Sequence, residues 1–149
     1  MPSSWTQNLY HGVFSTKRRV EILTPTHEER LYPFVGGILN DLKCTPIAIH
    51  GMPDHMRFLA RYPSDLSHSD LLWHVKKRSS EWLHDTFPEL EAFEWQKGYG
   101  GFTVSKSMQE TVADYIRGQK EHHKKVSSLE EFIEFLRAHG VEFDPKYLE

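Results

Sequence analysis

Two pairs of side chains in this chain have types and spacing that suit chemistry. The first is His55 and Arg57, in the stretch Gly51-Met52-Pro53-Asp54-His55-Met56-Arg57-Phe58-Leu59. Pro53 presets φ and Asp54 can hydrogen-bond the backbone just ahead, so Met52-Pro53-Asp54 reads as a turn. His55 to Leu59 reads as a strand. Strand side chains alternate, so His55 and Arg57 share one face, and Met56 and Phe58 the other. An imidazole and a guanidinium then stand side by side with an apolar face behind them. The plain alternative is an edge strand with a polar outer face. The second pair is Tyr115 and Gln119, four residues apart. On a helix they stand one turn from each other on nearly the same face. A tyrosine with an amide one turn away suits a nucleophile with a neighbouring oxygen ligand. The alternative is an amphipathic helix with Val112 and Ile116 in the core and Tyr115 at the margin.

The elements that must position these pairs follow from local signals. Leu9 to Ser15 reads as a first strand, with Tyr10, Val13 and Phe14 as β-formers, and Lys17-Arg18-Arg19 follows it. Thr26-His27-Glu28-Glu29 reads as a capping box opening a helix to about Leu42. Pro33 and Gly36-Gly37 are expected to bend or weaken it. Thr45 to His50 is a short apolar strand leading into the central turn, so the two strands make a hairpin-like unit. Ser67-His68-Ser69-Asp70 caps a further helix, along which Leu71, Leu72, Val75, Trp82 and Leu83 recur at helical spacing. Lys76-Lys77-Arg78-Ser79-Ser80 falls on its other side. This turn reads either as a solvated face or as phosphate contacts from Lys, Arg and Ser.

Phe87 to Glu94 is a loop. Tyr99, Phe102 and Val104 form a last strand after a flexible Gly98 and Gly100-Gly101. Ser107-Met108-Gln109-Glu110 is the capping box of the tyrosine helix, and Ser128-Leu129-Glu130-Glu131 that of a final helix. Phe132, Ile133, Phe135 and Leu136 give the final helix an apolar face, Gly140 ends it, and Asp144-Pro145-Lys146-Tyr147 closes the chain as a turn. The order β-α-β-β-α-β is the ferredoxin-like motif, an α+β fold with an antiparallel sheet, here with two additional C-terminal helices.

At 149 residues, one domain over 1–149 is expected. The net charge of −3 does not advertise a nucleic-acid binder. Charge is uneven, however: Lys17-Arg18-Arg19, Lys76-Lys77-Arg78 and the run from Arg117 to Lys125 are basic, and the tail is mostly acidic. Cys44 is the only cysteine, which excludes an intramolecular disulfide and a cysteine-based zinc site. No signal peptide and no membrane-spanning apolar run is apparent, so a soluble cytoplasmic protein is expected.

Taken together, the motifs resemble those of the single-tyrosine HUH transposases, the small transposases of single-strand insertion sequences (IS200-like) and the repeat-associated tyrosine transposases. "GMPDHMRFL" is similar to the family's "GMPDHVHLL" strand, and "YIRGQKEHH" to its tyrosine helix. "YHGVFSTKRR" resembles the first strand, "VKKRSSEWL" the middle helix, "GYGGFTVSKS" the strand before the tyrosine helix, and "FDPKYL" the ending. The resemblance implies binding of single-stranded or hairpin DNA, and its cleavage and rejoining in DNA transposition and recombination through a 5′-phosphotyrosine. It implies Tyr115 as nucleophile, His55 and Gln119 as ligands of a divalent ion (Mg or Mn), and a homodimer in which the tyrosine helix of one subunit completes the site of the other. Flexible glycines at 98, 100 and 101 would suit such a swap; a plain tight turn is the alternative. Arg18, Lys76, Lys77 and Arg78 are the expected DNA contacts.

The departure is Arg57, which stands where the family has a second histidine. A guanidinium has no lone pair for a metal and stays protonated. Three outcomes follow: a decayed relative that acts only as a DNA-binding module, an arginine that clamps the scissile phosphate without metal, or another histidine moving in. His50, His122 and His123 are the candidates for the last.

Overall fold

A computed structural model describes residues 5–122, 126–145 and 148. Its sheet is built on the alternating strands β1 (Leu9–Ser15) and β3 (His55–Arg61), which lie side by side at its centre. With β2 (Thr45–Met52) and β4 (Gly100–Val104) the order is β2-β3-β1-β4, antiparallel throughout. This is the ferredoxin-like arrangement expected of the element order. The edge-strand alternative for residues 55–59 does not hold: β3 is bonded on both sides. The β2–β3 connection is a tight hairpin through Pro53 and Asp54, with Met52 opposite His55.

Helices α1 (Pro25–Asp41) and α2 (His68–Thr86) cover one face. Tyr10, Phe14, Met56, Phe58 and Ala60 point into that layer and pack with Leu31, Val35, Ile38, Leu71, Leu72 and Val75. The other face carries Leu9, Val13 and Leu59, and the C-terminal helices close it: α3 (Gln109–Arg117), α4 (Gln119–His122) and α5 (Ser128–Ala138). Ala113 and Ile116 of α3 pack on Leu9, Ala48 and Leu59, while Leu136 of α5 packs on Val13 and Phe102. His55 and Arg57 face this second layer and are therefore buried rather than solvated. Among the described residues no helix is long and apolar enough to cross a membrane.

Several local signals act one or two residues from where the sequence suggests. The first helix starts at Pro25; the Thr24 amide donates to His27 Nδ1 at 3.1 Å, so the box belongs to Thr24 and not Thr26. The helix continues unbroken through Pro33 and Gly36-Gly37, because its apolar residues are fixed by tertiary packing, which outweighs local propensity. Ser67 does cap α2, accepting from the Asp70 amide at 3.1 Å. Ser107 does not cap α3: it lies inside a 3₁₀ turn (Lys106–Met108), its hydroxyl pairs with Ser105, and Met108 is the N-cap. Ser127, not Ser128, caps α5.

Gly100 and Gly101 are strand residues, not a flexible lead-in. A Cβ at Gly101 would collide with the Tyr10 hydroxyl, and one at Gly100 with Phe132 and Val13. His123, residues 124–125 at the end of the basic run, and Lys146-Tyr147 of the closing turn lie outside the described residues.

Candidate active site

The site forms where β3 meets the C-terminal helices. Gly118 separates α3 from α4, yet its amide still donates to Asp114 O at 2.9 Å, so Tyr115 and Gln119 remain one turn apart. Lys120 Nζ lies 2.6 Å from Glu28 Oε2, tying α4 to the start of α1. These restraints bring Gln119 Oε1 to 2.8 Å from His55 Nε2. His55, Arg57 and Gln119 are each buried to within about 1% of full burial, and Tyr115 is half-buried.

The other ring nitrogen of His55, Nδ1, lies 2.8 Å from Asp54 Oδ1. Ser128 donates to the second oxygen of that carboxylate at 2.5 Å. Burial alone would raise the Asp54 pKa, but hydrogen bonds from His55 and Ser128 hold it below the usual carboxylate range. Ionised Asp54 thus accepts from His55 Nδ1 and orients the ring so that Nε2 faces Gln119.

Glu131 of α5, a residue that sequence reasoning treated only as part of a cap, completes the cluster. It is 1% exposed. Its Oε1 accepts from Arg57 Nε at 2.9 Å and Nη2 at 2.6 Å. Its Oε2 accepts from the Tyr115 hydroxyl and, at 3.3 Å, from Gln119 Nε2. His122 Nε2 lies 3.0 Å from the same oxygen. Arg57 Nη1 donates to His11 Nε2 at 3.1 Å, and the guanidinium stacks 4.6 Å from the Phe135 ring centroid. Burial, aided by Arg57, pushes His11 down to about 3, so its ring is neutral and can accept that bond. Burial also raises the Tyr115 phenol; Arg57 opposes this and Glu131 adds to it.

His11 and Glu131 had detectable but weak signals. His11 alternates with Leu9 and Val13 on one strand face, and Glu131 precedes Phe135 by one helical turn. Neither spacing says that the two residues meet Arg57. His50, considered as a substitute ligand, lies against the Tyr32 ring at 5.4 Å.

The expected DNA contacts lie away from this cluster, and Gln96 joins two of them, Arg18 and Lys76. Gln96 Oε1 accepts from the Arg18 amide at 3.1 Å, and its carbonyl accepts from Lys76 Nζ at 2.7 Å. Lys76 also donates to Gly98 O at 2.7 Å, Lys77 Nζ sits 4.8 Å from the Trp73 ring centroid, and Arg78 pairs with Asp41 at 2.7 Å. A cleft of about 310 Å³ runs along Lys76, Lys77, Ser80 and His84.

Comparison with known proteins places the chain in a family and a fold. The family model described as "Transposase IS200 like" matches residues 4–119. No curated protein matches the chain. Among solved structures, it is similar to a candidate transposase from Deinococcus radiodurans R1, with a TM-score of 0.67 and 22% identity over 80% of this chain and 95% of that one. It is also similar to a REP-associated tyrosine transposase bound to a REP hairpin, with a TM-score of 0.62 and 17% identity over 85% of this chain and 74% of that one. The first match spans most of the chain, including β3 and the tyrosine helix, and the chain therefore belongs to the IS200-like transposase family.

Proposed function

We propose that this protein binds hairpin or single-stranded DNA and cleaves and rejoins it through a covalent bond to Tyr115. The observation that carries this reading is the convergence of Tyr115, Gln119 and His55 in one buried cluster. In the cleavage step, Tyr115 Oη bonds to phosphorus as the bond from phosphorus to the 3′-oxygen breaks. The phenol gives up its proton, the departing 3′-oxygen gains one, and the 5′-phosphate stays on the tyrosine. Reversal with a different 3′-hydroxyl rejoins the strand without an external energy source. Glu131 orients the phenol by accepting its hydrogen bond, and Asp54 orients the His55 ring.

His55 Nε2 and Gln119 Oε1, 2.8 Å apart, are the atoms that would hold the divalent ion implied by the family. Mg or Mn held there would polarise the phosphate as a Lewis acid. Arg18, Lys76, Lys77 and Arg78 are proposed to contact the DNA backbone, and the protein is proposed to work as a homodimer. Within one chain Gln119, one turn after Tyr115, meets His55; whether the homodimer keeps or exchanges this helix is decided by mixing variants.

The test is incubation of the protein with labelled hairpin DNA in Mn or Mg, followed by denaturing electrophoresis. A protein–DNA adduct that Tyr115→Phe abolishes is expected. Tight hairpin binding with no adduct under any metal condition would instead identify a DNA-binding module.

A further inference from the structure

We propose that the cleft between α2 and the segment before β4 holds an unpaired base of the DNA, stacked on Trp73 and flanked by Tyr99, with Lys77 on the neighbouring phosphate. The inference rests on the DNA-binding part of the reading above and assigns this face to the single strand rather than to the hairpin stem.

Three observations carry it. First, two large aromatic side chains stand exposed around one cavity. Among the described residues the exposed large aromatics are Trp5, Trp73 and Tyr99. Trp5 precedes the first strand, whereas Trp73, 56% exposed, and Tyr99, 42% exposed, line the same cleft of about 280 Å³. A single exposed aromatic is ordinary. Two that share a cleft form a surface on which a flat ring can stack, and base stacking on aromatic side chains is the main sequence-tolerant contact to single strands. The cleft lies near the lower end of the sizes that hold small ligands, roughly 300 Å³. That suits one base and not a helix of a partner protein or a base-paired stem.

Second, the cleft is held in shape. Lys76 Nζ donates to the carbonyls of Gln96 and Gly98, each at 2.7 Å, and so ties the segment carrying Tyr99 to α2. Gly98 turns the chain there with φ of 80°, a conformation that favours glycine. Third, charge lies where a phosphate would. Lys77 follows Trp73 by four residues, one helical turn, and its Nζ sits 4.8 Å from the Trp73 ring centroid. A base stacked on that ring brings its own phosphate to an exposed ammonium. Lys76 and Lys77 also line the adjoining cleft of about 310 Å³ along Ser80 and His84, which gives the strand a continuing path. Glu94, the carboxylate on that path, is paired with Lys17 at 2.8 Å.

The experiment measures affinity by fluorescence anisotropy for three DNAs: a blunt hairpin, the same hairpin with single-stranded thymidine extensions, and one whose extensions keep the sugar-phosphate chain but lack bases. Wild type should bind the thymidine-extended hairpin most tightly. Trp73→Ala should weaken that binding about fivefold or more and leave the blunt hairpin within about twofold. Tyr99→Ala should act in the same direction, and Trp73→Phe, which keeps a ring, should recover most of the affinity. Wild type and Trp73→Ala should bind the base-free extension equally. That comparison also decides the matter if Tyr99→Ala fails to fold. Equal affinity of wild type for thymidine and base-free extensions overturns the proposal. So does a Trp73→Ala variant that binds all three DNAs like wild type, or one that loses the blunt hairpin as much as the extended one, which would give the cleft to the stem. The adduct assay is scored separately: Trp73-dependent binding of the extension without any adduct would refute the strand-transfer reading and leave this site standing. Adduct formation indifferent to Trp73, with no effect on binding, would do the reverse.

Discussion

Arg57 and Glu131 form an ion pair with both side chains 1% exposed, joining the central strand β3 to the last helix α5 through contacts of 2.6 and 2.9 Å. Removing one partner of such a pair strands the other charge in the interior, at a cost of about 3–5 kcal/mol. We expect Glu131→Ala to lose stability on that scale in urea unfolding, and the Arg57→Met, Glu131→Leu double variant to lose much less. A double variant no more stable than Glu131→Ala would show that the pair is not energetically coupled.

Tyr115→Phe should separate chemistry from binding. The ring and its packing remain, and only the hydroxyl bonded to Glu131 is lost, so the stability change should be about 1 kcal/mol. Hairpin affinity in a gel-shift titration should stay within twofold of wild type, while adduct formation should vanish.

The basic surface should contribute unequally. Lys76 is bonded to two carbonyls of the segment before β4, whereas the Arg18 side chain is exposed. Each lost phosphate contact should reduce the slope of log affinity against log salt by about 1. Arg18→Ala and Lys77→Ala should each do so without lowering the melting temperature; Lys76→Ala should lower it. Unchanged salt slopes in all of these variants and in Arg78→Ala would place the DNA on another surface.

Stability should depend on pH through His11. Its folded pKa is depressed from 6.5 to about 3 by burial and by Arg57. The unfolded chain therefore binds more protons between these values, so the stabilisation is fully present above pH 6.5 and declines as pH falls toward 3. Melting curves from pH 7 to pH 4 should show this decline, and His11→Gln, whose amide oxygen can still accept from Arg57, should flatten it. An identical pH profile in the variant would assign the titration elsewhere.

Self-association is checked by sedimentation at micromolar concentration, with and without hairpin DNA. A dimer is expected in the DNA-bound state. Mixing Tyr115→Phe with His55→Ala subunits should then leave adduct yield low if Tyr115 works with His55 of its own chain, whereas strong complementation would show that the helices exchange between subunits.

The sequence by itself determined the sheet and the first pair of chemical groups. Period-two alternation separates His55 and Arg57 from Met56 and Phe58, and the Pro53-Asp54 turn sets the hairpin register, so both could be read locally. The four-residue spacing of Tyr115 and Gln119 likewise survives the break at Gly118, because one helical turn is a local property. What lay beyond local reading was which surfaces meet. His55 and Arg57 look like a solvated polar face until α3 to α5 cover it. Glu131 is indistinguishable from an N-terminal helix charge until α5 docks on β1 and brings it to Arg57, 74 residues away. Cap positions shifted by one or two residues for the same reason: Ser128 is drawn to Asp54 by tertiary contact, leaving Ser127 to cap α5. Only the tertiary structure could decide that the arginine in the histidine's place is neutralised, because an ion pair between distant segments has no periodicity in sequence.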